Sequence, residues 1–303
     1  MTESGVALRS GWGAVLVRGP DAWSFLQDLV SQDLDGIVDG AGAHSLLLSP
    51  QGKLVSDFRL LRSGEDAWLD AVDGPGLAAA LARFKLRVDV EISDRSDDRA
   101  MASVRGEDAI AVLGIDVPTA QHSYVEVGTL RAVRADWPGI AGVDLLGPRD
   151  AVQVRLADLE ADGVANLDDA TFDRLRIDAG IPLQGADIDD RTIPQEAFLE
   201  RDAVSFDKGC FLGQELVCRI DTRGRVTRYL RRVEIPGVVP DRGTELRNLD
   251  GKVMGTLTSV APRPRGGAVA LAMVRHDVHP PAELTLADGS ERSVQVLEVP
   301  ERV

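Results

Sequence analysis

The stretch Lys208-Gly209-Cys210-Phe211-Leu212-Gly213-Gln214-Glu215 gathers chemistry-bearing residue types into one octad. A lysine and a glycine precede a thiol, and an amphipathic start follows, so the octad reads as a loop entering a helix. A cysteine at a helix N-terminus beside an ammonium has its thiolate favoured by the dipole and by the charge, which makes Cys210 a candidate reactive thiol. The competing reading is a small buried Cys210 packed beside Phe211; Cys218, later in the same segment, reads as structural. Helical spacing over eight residues holds the two Cα atoms about 12 Å apart, against the roughly 4.4 to 6.8 Å a disulfide needs. Both are expected as reduced thiols, which fits the cytoplasm. Just beyond the octad, six arginines fall within fourteen residues: Arg219, Arg223, Arg225, Arg228, Arg231 and Arg232, opposed only by Asp221. Guanidinium forks suit carboxylates and phosphates, so the cluster could hold an anionic tail or a short RNA backbone; ion pairing with the acidic surface is the competing reading for most of them. The four histidines, His44, His122, His276 and His279, stand at no metal-ligand spacing with either cysteine, and no metal site is expected.

Short strands and helices must position these groups. Val15 to Arg18 reads as a strand ending at Gly19-Pro20, after which Asp21 caps a helix through about Val30 with an apolar stripe of Trp23, Leu26 and Val30. Ser45 to Leu48, the turn Ser49 to Lys53, and Leu54 to Leu61 read as a β-hairpin. Trp68 to Val72 is the next strand, Leu77 to Leu86 a helix, and Val88 to Ile92 alternates as a half-buried strand. Asp168 or Asp169 caps a helix running to Ala179, with Gly180 just past its end. From Arg225 onward, five short alternating segments predict a small all-β module, so the chain divides into a body over 1–224 and a β-barrel over 225–303.

Composition narrows the chemistry. At 303 residues, 44% hydrophobic and 27% charged, the chain is a folded one of two or three domains. A net charge of -15 and a pI near 4.7 argue against a general DNA or RNA binder. No apolar run long enough to cross a membrane and no signal-peptide pattern occur. The P-loop, dinucleotide-binding, HExxH and GxSxG motifs are missing, so the usual support for those chemistries is missing too.

The octad resembles the signature of the YgfZ-type folate-binding proteins, relatives of the glycine-cleavage T-protein (aminomethyltransferase) and of mitochondrial iron-sulfur assembly proteins. Arg174-Leu175-Arg176-Ile177-Asp178-Ala179-Gly180-Ile181-Pro182-Leu183, then Gly185, Asp187 and Ile188, then Ile193-Pro194-Gln195-Glu196, follow the T-protein order. Gly19-Pro20-Asp21-Ala22, Phe25-Leu26 and Asp33 resemble its N-terminal segment, and Met254 to Ser259 its terminal barrel. The resemblance implies an α+β fold: a three-lobed ring of antiparallel sheets around a central folate pocket, with a small C-terminal β-barrel. It implies that Glu196 accepts the two-donor edge of a pterin and that Asp57 is the catalytic aspartate near the reactive folate nitrogen; Arg228, from the arginine cluster, is placed with the folate-binding residues as part of a site for an anionic folate tail. Cys210 and Ser56 depart from the T-protein pattern, each standing where an acid is usual. These departures favour the YgfZ-type branch, and with it a folate-binding accessory protein in iron-sulfur cluster assembly or repair, serving iron-sulfur enzymes and, through them, tRNA modification. Two cysteines are too few to ligate a cluster with four thiolates. The alternative is a tetrahydrofolate-dependent aminomethyltransferase or other one-carbon transferase, working on a reduced folate in mono- or polyglutamylated form.

Overall fold

The computed structural model describes residues 4–9, 11–290 and 292–302; Met1, Thr2, Glu3, Ser10, Glu291 and Val303, and the Arg223 side chain, lie outside the described set. Two compact units emerge: Met1–Leu167 with Asp202–Glu215, and Asp168–Arg201 with Leu216–Val303. The second therefore holds more than the stretch after residue 225, and the cut at 224 stands as a proposal about which part folds alone.

The first unit runs β1 (Gly5–Leu8), β2 (Gly13–Arg18), α1 (Ala22–Leu29), β3 (Gly42–Leu48), β4 (Leu54–Ser63), β5 (Asp66–Ala71), α2 (Gly74–Ala82), β6 (Glu91–Asp94), β7 (Arg99–Arg105), β8 (Tyr124–Val127), β9 (Leu130–Arg134), β10 (Gly142–Pro148), α3 (Arg149–Ala161) and β11 (Ala165–Asn166). They form two sheets, ordered β3-β4-β5-β2-β6 and β11-β1-β7-β10-β9-β8. Among the described residues, every pairing of these strands is antiparallel except the short β1–β11 contact.

The period of two along β4 sorts its residues between two jobs. Phe58 and Leu60 enter a core with Phe25 and Leu26 of α1 and Leu77 and Leu81 of α2. Leu61 points the other way and packs with Tyr124, Val133 and Leu146 of the second sheet. On that same face, Arg59 donates to Asp70 at 2.9 Å and to Asp144 of β10 at 2.9 Å, and Arg105 of β7 donates to Asp144 at 2.7 Å. A buried network of two guanidiniums and two carboxylates thus joins the sheets. Burial opposes the Asp144 charge, but Arg105 and then Arg59 outweigh it and lower its pKa to about 2.

Two local expectations change. Asp21 makes no side-chain bond to the amides of α1; its Oδ2 accepts the Asp89 N–H at 2.7 Å and ties the helix start to the segment before β6. The strand expected over Val88 to Ile92 forms later, as β6: the Asp89 N–H is taken by Asp21, and ladder pairing with β2 begins only at Glu91.

The second unit carries α4 (Asp169–Asp178); α5 (Glu200–Ala203) and α6 (Gln214–Arg223) straddle the division. Its strands β12 (Arg228–Ile235), β13 (Glu245–Arg247), β14 (Val253–Pro262), β15 (Ala268–Arg275), β16 (Ala282–Leu286) and β17 (Ser293–Leu297) close into a barrel, β12-β15-β14-β13-β16-β17. Five of these follow the alternating segments read from the sequence; β13 is three residues long and too short to show a period. Asp168 accepts the Thr171 N–H at 2.8 Å as the expected cap of α4. Arg176, buried on α4, donates to Asp187 at 2.7 Å, to the Ile181 carbonyl at 2.8 Å and to Ser259 of β14 at 3.0 Å, while Thr258 donates to Asp187 at 2.5 Å. The Arg-to-Asp motif series is thus the joint between helix and barrel.

Candidate functional site

Asp57 lies on β4 opposite Leu46, and His44 pairs with Arg59 one rung away on the same face. Diagonal cross-strand neighbours are within reach of long side chains. The His44 Nε2 accordingly meets Asp57 Oδ1 in a short contact, and its Nδ1 meets Asp202 Oδ2 of α5 at 3.0 Å. Burial works against charging this imidazole, but Asp57 and then Asp202 outweigh it and raise its pKa from 6.5 to about 10. At neutral pH His44 is therefore an imidazolium donating from both nitrogens. Ser31 and Gln32, in the link after α1, hold the third member in place: Ser31 Oγ donates to the Ala203 carbonyl at 2.6 Å, and Gln32 Nε2 donates to the Asp202 carbonyl at 2.9 Å. Sequence reading reached Asp57 and missed both partners. The hairpin register could have found His44; nothing local could have found Asp202, which is 158 residues away in the chain.

The octad is built into the same unit. Lys208 Nζ donates to the carbonyls of Gln27 at 2.6 Å, Val30 at 2.8 Å and Gln32 at 2.9 Å, closing the C-terminal end of α1. Burial lowers its pKa to about 8, with Asp33 the leading opposing charge. Gly213, at a φ of 81°, sits so close to the hairpin turn that a Cβ would clash with the Ser49 carbonyl and come within 3.1 Å of the Gly52 Cα. Phe211 is buried, and its N–H donates to Gln214 Oε1 at 3.2 Å at the start of α6; Glu215 is exposed. A Cβ on Gly209 would meet nothing within 4 Å. Cys210 is exposed and Cys218 partly buried, both free thiols. The geometry at Cys210 differs from expectation, because α6 begins at Gln214, four residues on, and the Lys208 ammonium is committed to α1. The dipole's influence falls off within the first turn.

Glu196, in the second unit, ends a single 3-10 turn, Pro194–Glu196, and is buried. Arg228 of β12 grips it as a fork, Nε to Oε1 at 3.1 Å and Nη2 to Oε2 at 3.2 Å, while the Ile193 N–H donates to Oε2 at 3.2 Å. A carboxylate offers about four lone-pair positions, so three are engaged. Beside it, the Gln195 Nε2 donates to the Val217 carbonyl at 2.9 Å and its Oε1 is buried with no hydrogen-bond partner among the described residues. Of the arginine cluster, Arg231 donates to Glu298 at 2.7 Å and Arg232 to the Asp178 carbonyl at 3.3 Å, whereas Arg219 and Arg225 are exposed.

Among the described residues, no group of three or more His, Cys, Asp or Glu side chains is placed to hold a metal ion, and no helix is long and apolar enough to cross a membrane.

Known proteins resemble this chain in sequence and in fold. The GCVT N-terminal domain matches residues 2–208. An aminomethyltransferase of Prosthecochloris aestuarii is 25% identical, covering 85% of this chain and 76% of that protein. One of Thermus thermophilus is 29% identical, covering 91% and 80%. The crystal structure of the glycine cleavage system aminomethyltransferase T of Bartonella henselae superposes with a TM-score of 0.87 at 23% identity, over 99% of this chain and 86% of that one, and establishes the α+β fold with its closed terminal barrel. These findings overturn the expected accessory role in iron-sulfur cluster assembly or repair, together with the tRNA modification and iron-sulfur clients attached to it: the relatives that align along most of the chain are named aminomethyltransferases. That expectation leaned on the octad's likeness to the YgfZ-type signature and on the departures at Cys210 and Ser56, weighed against a likeness to aminomethyltransferases that covers most of the chain. With the domain match spanning well over half of its residues, the chain belongs to the GCVT family.

Proposed function

We propose that the chain is a tetrahydrofolate-dependent aminomethyltransferase. The observation that carries this reading is the breadth of the likeness: proteins bearing that name align with 85% and 91% of the chain in the two cases above. In this reading Glu196 and Gln195 receive the pterin. Their chemistry fits, since a pterin edge presents adjacent N–H donors, the Gln195 Oε1 is a buried acceptor without a donor among the described residues, and Glu196 keeps one acceptor position beyond those taken by Arg228 and Ile193. Arg228 holds the Glu196 carboxylate in one orientation. Asp57, anchored by His44, is the acid-base group of the transfer. When bound, the folate supplies the nitrogen that takes up the one-carbon unit.

At finer grain, Arg219 and Arg225 are, among the described side chains, exposed cations of the cluster and suit a polyglutamate tail. The octad supports kinship with the YgfZ-type branch in sequence, and the two free thiols suit a cytoplasmic setting. Cys210 has no step in this reading.

Calorimetric titration with tetrahydrofolate, followed by an aminomethyl-transfer assay using a lipoyl carrier protein as donor, tests the proposal. Glu196→Ala leaves ligand donors unpaired, a loss of about 1 to 3 kcal/mol, or roughly 5- to 150-fold in affinity. Unchanged affinity refutes the pterin assignment; bound folate with no transfer refutes the activity.

A further inference from the structure

The His44 imidazole is not among the groups that carry the family likeness, yet two carboxylates of the first unit, Asp57 and Asp202, converge on it. It bonds Asp57 through Nε2 and Asp202 through Nδ1 at 3.0 Å, and only 16% of its side chain is exposed. Three further titratable or charged groups surround it: Arg59 is its cross-strand partner in the hairpin, Asp144 lies beyond on β10, and His122 stands before β8 within reach of the same charges. Burial, then Arg59 and His44 itself, lower the pKa of His122 to about 3, so that neighbour stays neutral while His44 is charged. The His122 Nδ1 is buried with no hydrogen-bond partner among the described residues.

We propose that His44 is the positioning residue for Asp57: a doubly donating imidazolium, fixed from behind by Asp202, that locks the Asp57 carboxylate in one orientation for the transfer reaction. A neutral imidazole has one N–H and cannot donate to both carboxylates, so loss of the proton releases one of them. Asp202 is the anchor because its own chain segment is held by Ser31 and Gln32. The inference rests on the aminomethyltransferase reading for what Asp57 does, but the lock itself is a property of this chain alone.

The test uses the full chain and three variants, Asp57→Asn, His44→Gln and Asp202→Asn, with four measurements: NMR titration of the 13C-labelled imidazole, tetrahydrofolate affinity, kcat, and the pH profile of kcat. In the wild type, His44 is expected to titrate far above 6.5. In Asp202→Asn, a near-isosteric change, its titration moves toward neutral pH and the alkaline limb of kcat moves with it. In His44→Gln, kcat falls roughly 10- to 100-fold, by analogy with the loss of a residue that orients a metal-ligating side chain, while folate affinity stays within about two-fold. A His44 that titrates near 6.5 in the wild type overturns the lock whatever the variants do. Loss of activity in Asp57→Asn together with wild-type kcat in His44→Gln or an unmoved alkaline limb in Asp202→Asn overturns the positioning role. Full activity in Asp57→Asn instead sinks the catalytic reading of Asp57 and leaves the titration of His44 to be judged separately.

Discussion

Replacing Lys208 with methionine keeps the unbranched stem as far as Cε and removes the ammonium. In the folded chain that ammonium serves three carbonyls, Gln27 at 2.6 Å, Val30 at 2.8 Å and Gln32 at 2.9 Å, in a place where Lys208 is 9% exposed. All three belong to the last turn of α1 and the link that follows, where carbonyls have no intrahelical donor. Each buried acceptor left unpaired costs about 1 to 3 kcal/mol, a gross loss of roughly 3 to 9 kcal/mol. Water entering the gap and the relief of no longer burying a cation recover part of this, the second visible in the lowering of the Lys208 pKa to about 8. A net destabilisation of about 2 to 4 kcal/mol remains, at the high end for a single substitution. At about 2 to 4 °C per kcal/mol for a body of this size, Lys208→Met should melt roughly 5 to 15 °C below wild type by calorimetry. Cys210→Ala, two residues on and exposed, is the control and should melt within about 2 °C, as surface changes do. A Lys208→Met melt within that same margin would refute the idea that the octad's lysine is a helix closure.

Asp144→Asn removes the charged partner of Arg105 and leaves Arg59 with Asp70 alone, and should cost about 3 to 5 kcal/mol in chemical denaturation; a change below about 1 kcal/mol on the same scale contradicts the network. Gly213→Ala forces a Cβ against the Ser49 carbonyl at a positive φ and should destabilise by about 1 to 3 kcal/mol, with tetrahydrofolate affinity unaffected if only packing is at stake. For His44 the folded pKa, about 10, exceeds the unfolded value of 6.5, so its stabilising contribution is complete below pH 6.5 and is lost as pH rises toward 10. The stability difference between wild type and His44→Gln should therefore shrink over that window, and a difference independent of pH would show that the imidazole is neutral.

Much of this molecule was written locally. The hairpin from β3 to β4, the Asp168 cap, the glycine after α4 and most barrel strands follow from period-two alternation and turn chemistry, which act between residues a few positions apart. The motif series from Arg176 to Asp187 and the octad were visible as patterns of residue types, and so was the family they resemble. What the patterns did not contain was the use each residue is put to. Lys208 looked like a neighbour of Cys210 and is a closure for α1, 178 positions from the Val30 carbonyl it meets. Asp21 looked like a helix cap and bonds Asp89 instead. Glu196 looked like an open acceptor and is gripped by Arg228. His44 had no visible role until the hairpin register set it beside Asp57 and the fold delivered Asp202 from the far end of the unit. Hydrogen bonds and ion pairs are short-ranged and directional, so partners distant in sequence meet only after packing has chosen which faces oppose one another. Sequence alone determined most of the elements and the kinship with the GCVT family; tertiary structure decided which charges are paired, which are buried, and which side chain stands against the aspartate.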